Sequence, residues 1–531
     1  MLLADFFPLH RRRRRVGSAF VLAVPVLAVP VLAVPVLAIL AGCAVGPNFK
    51  TPAAPGSTRF TEAALPASTV KAATPGGSPQ QLSEGRDIPG EWWALFHSPQ
   101  ITTLVTQALR ANPDVAAAQA TLREARENTR AEQGALFPQL SAAVQPEHVR
   151  SSLAGFGFGN GSSVYTVYSG TLNASYTLDA FGGIRRQIEQ LNAEAEYQRF
   201  ELEATDLILA ANVVNAAITE ASYQAQIDTT RDIIRIDMAG LALTRQRFQL
   251  GGVSQVDVLQ QQSLVDAQIA TLPGLQKLLQ QARNQLAVYL GGHPDQYAMP
   301  TLDLNRLTLP NDLPVSLPSN LVQQRPDIRA YAALLHSATA SVGVATANML
   351  PQISLTGSYG REGSNLPNLF TPAGIVWTIA GSLTQPIFEG GTLRARKRAA
   401  QAALEVAAAQ YSSTVNTAFQ NVANALVAIE RDAETLRAAL AAEQTAAASL
   451  AVAQTQYREG AGTYLNVLTA EQTDFSARLN LVTARAARFT DTVTLFQALG
   501  GGWWNRTDVD PKIAQADGVF PGGAFSGGVF P

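Results

Sequence analysis

Residues 392–459 contain neither glycine nor proline, so 68 consecutive positions lack the two residue types that interrupt helices most strongly. A continuous α-helix of that length would extend about 100 Å. Its larger apolar side chains recur about every 3.6 residues, which is the helical period. They are Tyr411, Val415, Phe419, Val422, Leu426, Ile429, Leu436 and Leu440. Because the hydrocarbon of a bilayer is only about 30 Å thick, such a helix must extend into an aqueous compartment.

An internal duplication organises the rest of the chain. Residues 112–141 match residues 325–354 without a gap, and residues 247–292 match residues 456–501 in the same way. Two ungapped matches in the same order are not expected by chance from short apolar stretches. The chain therefore contains two copies of one structural unit.

Each copy is predicted to contain a long helical hairpin. The first structural repeat covers residues 94–300, with its hairpin at about 183–290. The second covers residues 301–502, with its hairpin at about 391–499. In the first hairpin, Pro273 followed by glycine predicts a kink or a break in the returning helix.

Between the helical segments, the apolar residues change to a period of two. A strand pair is predicted at about 138–180 and another at about 351–387, with apolar residues on one face and hydroxyl groups on the other. Half-buried strands of a soluble protein fit this pattern, and so does a transmembrane barrel with a wet lumen. Four strands cannot close a barrel, and open sheet edges are not tolerated in lipid. Two chains would give an eight-strand barrel filled by its own side chains, whereas three would give twelve strands and a pore.

The N-terminus carries an export signal. Five arginines at residues 11–15 precede an apolar stretch from Val16 to Ala41, which predicts a signal peptide at 1–42. Leu-Ala-Gly-Cys at 40–43 is similar to a bacterial lipobox, so we expect Cys43, the only cysteine of the chain, to be lipidated. An inner-membrane anchor with an incidental cysteine is the alternative. Residues 43–93 are predicted to form a lipidated tether, and residues 503–531 a disordered Gly/Pro-rich tail.

Charge and motifs exclude several classes of function. Beyond residue 42 the chain has 34 basic and 40 acidic side chains, with no basic stripe suited to nucleic acid. A phosphate-binding loop is followed by a helix, but no helix is predicted after the Gly-rich segment 155–161. This segment is expected to be an extracellular loop between strands. No histidine spacing suits a metal site; the histidines are His10, His97, His148, His293 and His336. No enzymatic activity, metal or cofactor is expected apart from the covalent lipid.

Several motifs together resemble a known family. They include CAVGPNFKTP at 43–52, EWWALFHSPQITTLVTQAL at 91–109, and the paired FPQLS and LPQIS at 137–141 and 350–354. With the two Gly-containing hairpin turns, they are similar to the TolC-like outer-membrane efflux proteins, especially the lipidated NodT-type branch. The resemblance covers residues 43–502.

This resemblance implies a mainly α-helical fold with a membrane β-barrel part. The family forms a trimer, in which a twelve-strand outer-membrane barrel, with four strands per chain, joins a long periplasmic α-helical barrel. An equatorial region would contain residues 94–110, residues 293–325 and the segment after Gly500. The implied function is the exit duct of a tripartite efflux pump, which passes small molecules from a periplasmic adaptor and a proton-driven inner-membrane transporter to the outside.

The resemblance also assigns site residues. The hairpin tips at Gly251, Gly252, Gly460 and Gly462 would dock the adaptor. The periplasmic gate would lie in the motif after the second tip, at the residues Leu465, Asn466 and Thr469. Relatives often have an acidic residue at the position of Thr469, whereas this chain would have a neutral polar ring there.

Three alternatives to this interpretation remain open. In the first, Leu465 packs between helices and has no role in a gate. In the second, the protein is the outlet of a type I protein secretion system on the same fold. In the third, it is a periplasmic coiled-coil spacer without a pore.

Overall fold

A computed structural model describes residues 44–64, 66–152 and 161–506. The predicted signal peptide, Cys43, most of the Gly-rich segment and the tail beyond residue 506 lie outside the described residues. The helices, in chain order, are α1 Pro99–Ala111, α2 Pro113–Gln133, α3 Gly183–Gln249, α4 Gln255–Tyr289, α5 Pro318–Gln324, α6 Pro326–Ala347, α7 Leu366–Leu369, α8 Thr392–Arg458 and α9 Tyr464–Ala498. The strands are β1 Gln81–Glu84, β2 Gln139–Ser152, β3 Ser162–Leu178, β4 Asp312–Val315, β5 Gln352–Gly363 and β6 Ile375–Thr384.

The two long hairpins have the same dimensions. Helices α3 and α8 each contain 67 residues, and helices α4 and α9 each contain 35. At 1.5 Å per residue the outgoing helices extend about 100 Å. The duplication seen in the sequence is therefore a duplication of one helical hairpin.

A kink or a break was predicted at Pro273, and helix α4 continues through it, so the chain does not break there. A proline in a helix removes one backbone hydrogen bond and crowds the preceding turn. Here the Thr271 hydroxyl donates to the Gln268 carbonyl at 2.7 Å, within the turn that precedes the proline.

The four long strands form one antiparallel sheet in the order β2-β3-β5-β6. The register places apolar side chains on one face; they include Leu140, Val144, Leu172, Ile353, Leu355, Tyr359, Trp377, Ile379 and Leu383. The other face is rich in hydroxyl and amide groups; they include Gln139, Ser141, Thr171, Asn173, Ser175, Ser354, Thr356, Ser358, Thr378 and Ser382. Strands β2 and β6 are the two edges, and among the described residues neither is paired on its outer side.

A compact layer surrounds the middle of the hairpins. It contains the parallel pair β1-β4, helices α1 and α5, and short 3-10 helices at Trp92–Phe96 and Trp503–Asn505. Trp92 stacks on Phe496 of α9 at 5.4 Å between ring centroids, in the main hydrophobic core. The segments that the resemblance assigns to an equatorial region lie before, between and after the two hairpins in the sequence. They meet in this layer.

Both ends of the described chain differ from the sequence-based expectation. Residues 43–93 were expected to form a lipidated tether, but within this range Gly76 and Ser78 are bound through their carbonyl oxygens by the fully buried Arg488 of α9. The tail was expected to be disordered from residue 503, but Trp503 is buried, and its indole N–H donates to the Gln324 carbonyl at 2.7 Å. A linker-like composition does not reveal partners that lie hundreds of residues away in sequence.

One described helix, α3, contains an 18-residue stretch with a mean hydropathy of 1.2, long and apolar enough to cross a membrane by composition alone. The helix contributes many buried residues to the main core, among them Val213, Val214 and Ile218. A core helix passes the same test of length and hydropathy.

Candidate functional site at the hairpin tips

Two glycine turns form the tips of the hairpins. Gly251 and Gly460 adopt φ angles of +72° and +76°, a left-handed conformation that glycine adopts without strain. The turn amides bond back into the last helical turn, where Gly252 N–H donates to Arg247 and Ala461 N–H donates to Gln456, both at 2.8 Å. The first tip then re-enters a helix through a capping box formed by Ser254 and Asp257, whereas Thr463 at the second tip makes no side-chain cap. The structure thus places all four predicted tip glycines in or next to the turns.

The first tip exposes apolar side chains. Leu250 is 79% exposed, and Val256 and Leu259 are each 60% exposed. They lie within the last residues before and the first turns after the Gly-Gly turn. Clustered exposed apolar residues mark a contact surface for another macromolecule. The four residues Phe248, Leu250, Val256 and Leu259 are called the tip patch below.

The three predicted gate residues lie on the exposed side of helix α9. Leu465 is 59% exposed, Asn466 and Thr469 are also exposed, and the Thr469 hydroxyl donates to the Leu465 carbonyl at 2.9 Å. Their neighbours Tyr464, Val467 and Leu468 are buried and form a small apolar cluster with Leu264 and Tyr457. Leu465 therefore does not pack between the helices of its own chain, which was the alternative to a role in the gate.

On the buried side of helix α9, next to Leu465 and Thr469, ring contacts and hydrogen bonds join the two hairpins. The Arg247 guanidinium of α3 lies over the Tyr457 ring of α8 at 5.9 Å, and Tyr457 contacts Tyr464 at 5.0 Å between centroids. The Tyr464 hydroxyl lies 3.3 Å from the Thr244 hydroxyl and donates to the side-chain oxygen of Gln261. A single tyrosine of α9 is thus bonded to both helices of the first hairpin.

A buried cluster of carboxylates continues this contact one to three turns further from the tip. Asp237 of α3 accepts a hydrogen bond from the Gln268 amide at 2.7 Å, and both side chains are buried. On α9, Asp474 is buried and pairs with Arg478 at 2.8 Å. Glu471 of α9 interacts with the charge of Asp237 and with the Gln261 side chain, and one of its carboxylate oxygens is buried without a hydrogen-bond partner. We call Asp237, Gln261, Gln268, Tyr464, Glu471, Asp474 and Arg478 the inter-hairpin network.

Burial dominates the ionisation of this network. Burial, reinforced by the negative charge of Asp237, raises the pKa of Glu471 to about 7. Burial also raises the pKa of Asp237, with a further contribution from Asp474. Burial raises the pKa of Tyr464 to about 12, so its hydroxyl remains a donor. Protonated Glu471 would have a hydroxyl to donate, whereas ionised Glu471 places a second negative charge near Asp237.

The raised pKa of Glu471 predicts that the stability of the folded tip falls as the pH rises. The folded-state pKa of Glu471 lies above its ordinary value, so its protonation stabilises the folded tip, fully below pH about 4.5 and progressively less up to about 7. Glu471→Gln is expected to reduce the difference in melting temperature between pH 5.5 and pH 8 and to raise the melting temperature at pH 8 by a few degrees. Scanning calorimetry of both proteins measures this. Glu459→Gln, at an exposed carboxylate of the second tip, is the control, and equal pH dependence in wild type and Glu471→Gln would contradict the assignment.

Sequence reasoning found the tips and the motif after them but missed the inter-hairpin network. Its charged members sit singly within helical repeats, where an acidic side chain usually faces solvent. One sequence feature could have indicated the network. Gln261 and Gln268 are amide side chains spaced seven residues apart on one face of α4. Within residues 44–64, 66–152 and 161–506, no group of three or more His, Cys, Asp or Glu side chains is placed to hold a metal ion.

A four-stranded sheet with one apolar face, joined to helical hairpins of about 100 Å, is the architecture expected from the resemblance to outer-membrane channel proteins of the TolC-like class. The family model described as "Outer membrane efflux protein" matches residues 104–292 and 317–501, one stretch in each repeat. The chain therefore belongs to the outer membrane efflux protein family, whose members are channels and not enzymes.

Named relatives support the same assignment. The toluene efflux pump outer membrane protein TtgC of Pseudomonas putida is 31% identical over 472 residues, which are 88% of this chain and 94% of TtgC. The outer membrane protein OprJ of Pseudomonas aeruginosa is 29% identical over 87% of this chain and 94% of its own length. The cation efflux system protein CusC of Escherichia coli is 28% identical over 87% of this chain and 96% of its own length.

Solved structures agree with the fold. The outer-membrane channel OprN has a TM-score of 0.78 and 28% identity, and covers 87% of this chain and 100% of its own. The Campylobacter jejuni channel CmeC has a TM-score of 0.79 over 90% of this chain and 99% of its own, and at 21% identity it supports the fold alone. The protein is thus an outer-membrane efflux channel with a periplasmic extension.

Proposed function

We propose that three copies of the chain form the exit duct of a tripartite efflux pump. The observation that carries this proposal is the sheet, whose edge strands β2 and β6 span 14 and 10 residues and have no partner on their outer sides in the part of the chain that the structure describes. Unpaired edges are not tolerated in lipid, so β6 of one copy pairs with β2 of the next. Three sheets give twelve strands, enough to enclose a water-filled lumen. The helical hairpins then form the periplasmic barrel below it.

The two faces of the sheet support this orientation. The apolar face suits lipid, and the face rich in hydroxyl groups suits a wet lumen. Among the described strands, the charged residues on the polar face are Glu147 and Glu362, which lie toward the ends of β2 and β5 remote from the helices. The lumen is therefore largely neutral and hydrogen-bonding, and its outer mouth is acidic.

The tip patch and the efflux relatives indicate which proteins would assemble with this channel. The tip patch presents apolar area at the end of the hairpins, which suits docking of a periplasmic adaptor. An inner-membrane transporter, expected to be proton-driven, would supply the energy, and the duct itself performs no enzymatic reaction and needs no cofactor. The relatives' names mention toluene, an antibiotic, a cation and pyoverdine, so we propose that the partner transporter selects the substrate.

Export of proteins in a type I secretion system is the second candidate function. The efflux names of the relatives favour small molecules as the substrates.

A complementation experiment tests the function. Expression with the cognate adaptor and transporter should lower the accumulation of a fluorescent dye in cells that lack their own outer-membrane channel. Trimers that resist heating in detergent should be present in the outer-membrane fraction. Monomers in the soluble periplasmic fraction would support a coiled-coil spacer, and export only with a peptide-exporting ATPase would support protein secretion.

Lipidation at Cys43 is a separate proposal, supported by the lipobox and by the lack of any other cysteine. Cys43→Ser is expected to leave an uncut or unacylated precursor, because the acyl chain is attached through the thiol. Labelling with a radioactive fatty acid should fall to background. Ser18→Ala, which leaves the lipobox intact, should retain the label. Label retained in Cys43→Ser would refute the assignment.

A further inference from the structure

The motif GPNF at 46–49 follows the proposed lipid attachment site, and the channel function gives it no role. In the structure this segment lies in a groove built around Arg186 of α3, which is only 3% exposed. The Arg186 guanidinium donates to the Val45 carbonyl at 3.1 Å and to the Asn48 side-chain oxygen at 2.6 Å. It also lies 3.4 Å from the Ala44 carbonyl and 3.5 Å from the Gly46 carbonyl. A buried guanidinium is thus satisfied mainly by four residues at the N-terminal end of the described chain.

Small residues allow the segment to approach the groove closely. The Val45 N–H donates to the Phe181 carbonyl at 3.1 Å. A Cβ on Gly46 would lie 2.5 Å from the Cα of Gly343 in α6, and a Cβ on Gly182 would lie 2.6 Å from the Cα of Ala44. Neither contact is possible with a larger residue unless the backbone moves. The groove therefore fits the backbone of this segment closely.

The far end of the segment is held by an aromatic contact. Phe49 stacks on His336 of α6, with centroids 4.5 Å apart and rings 15° from parallel. The His336 ring nitrogen lies 3.0 Å from Glu189, which also pairs with Arg186 at 2.7 Å. The two ends of the groove are therefore connected through one carboxylate.

The groove lies where the sheet meets the helices. Strand β3 ends at Leu178 and helix α3 begins at Gly183, so Gly182 marks the foot of the sheet. Ala44, which follows the proposed lipidation site in the sequence, lies beside Gly182 at this corner. In the second repeat the corresponding corner precedes α8, and the arginine at this position, Arg394, is exposed.

We propose that Arg186, Glu189, Gly343 and His336 form a receptor for residues 44–49 that positions the lipid anchor at the foot of the barrel, on its periplasmic side. This inference rests on the proposed lipidation of Cys43. It also sets an order of events. The enzymes that acylate Cys43 and then cut the peptide bond before it must hold the neighbouring residues in their own sites, whereas the docked segment has its carbonyl groups bound to Arg186. Docking therefore follows acylation, and Arg186 acts as a positioning residue.

Two measurements on the full-length protein test the proposal. Cells are fed a palmitate analogue that carries a photoreactive diazirine, and outer membranes are irradiated before mass spectrometry of the cross-linked peptides. Hydrogen exchange of the peptide that contains Val45 is measured on the purified trimer. In the wild type we expect slow exchange, and cross-links within the same protein concentrated near residues 178–183.

The variants are chosen to separate the groove from general destabilisation. Arg186→Gln removes the guanidinium and should speed exchange at Val45 roughly tenfold or more, since hydrogen bonds to a charged group are lost. Asn48→Leu removes one acceptor, and Gly343→Ala places a Cβ 2.9 Å from the Arg186 side chain, so both should act in the same direction. Arg185→Gln is the control, because Arg185 bonds to Asp179 and not to the segment.

Each outcome decides the proposal. Faster exchange and scattered cross-links in Arg186→Gln and Gly343→Ala, with trimers intact and Arg185→Gln unchanged, support it. Unchanged exchange or unchanged cross-links in both groove variants overturn it. If wild-type protein takes up no label, the anchoring role is wrong, while dye efflux by the same cells shows separately whether the channel function stands.

Discussion

Leu465→Ala is expected to make the closed channel leak. In the proposed trimer we expect three copies of Leu465 to meet near the axis just beyond the second tip, because the side chain is 59% exposed in the single chain. A ring of leucines excludes water and ions by dewetting, and alanine removes most of that apolar bulk. We expect resting conductance in planar bilayers to rise on the order of tenfold. Uptake of large antibiotics by cells should increase in parallel.

Two comparisons make this test specific. Val452→Ala, at an exposed apolar position on α8, should leave conductance unchanged. Thr469→Asp would place three carboxylates one helical turn from Leu465, and should increase cation selectivity and block by multivalent cations. Wild-type conductance in Leu465→Ala together with wild-type selectivity in Thr469→Asp would place the gate elsewhere.

Gly460→Trp is expected to abolish efflux without preventing trimer formation. Gly460 has a φ of +76°, which a tryptophan does not adopt without strain, so the second tip must change its shape. No atom lies within 4 Å of a Cβ at this position, so the body of the hairpin need not move. Dye accumulation should therefore return to the level of cells without the channel, while heat-resistant trimers remain.

The tip patch gives a second, chemically different variant. Leu250→Asp replaces a side chain that is 79% exposed with a charge, and should weaken docking of the adaptor by about 2 kcal/mol if Leu250 is an anchor of that contact. Cross-linking from a cysteine introduced at position 250 to the adaptor measures the contact directly. Gly274→Trp, a bulky change into open space on α4 away from the tips, is the control. Cross-links only to reagents outside the cell would show that the tips do not face the periplasm.

Local patterns predicted most of the architecture. The 3.6-residue period and the lack of glycine and proline in residues 392–459 predicted α8, which extends over Thr392–Arg458. Alternation with period two predicted the strands, because the side chains of a strand point to opposite faces. The glycines at 251 and 460 predicted the turns, since few other residues adopt a positive φ. These features depend on residues close together in sequence.

Tertiary structure alone decided the partners of the buried polar groups. Tyr464 bonds to Gln261 across 203 positions, and Arg186 binds Asn48 across 138. Arg488 reaches back more than 400 positions to residues that were expected to form a free tether. The sequence by itself determined the hairpins, the strands and their duplication, because periodicity and turn chemistry act locally. Which charged residue becomes buried, and what satisfies it, depends on which surfaces meet after folding, since a polar group removed from water must find its partner in whatever part of the chain lies beside it.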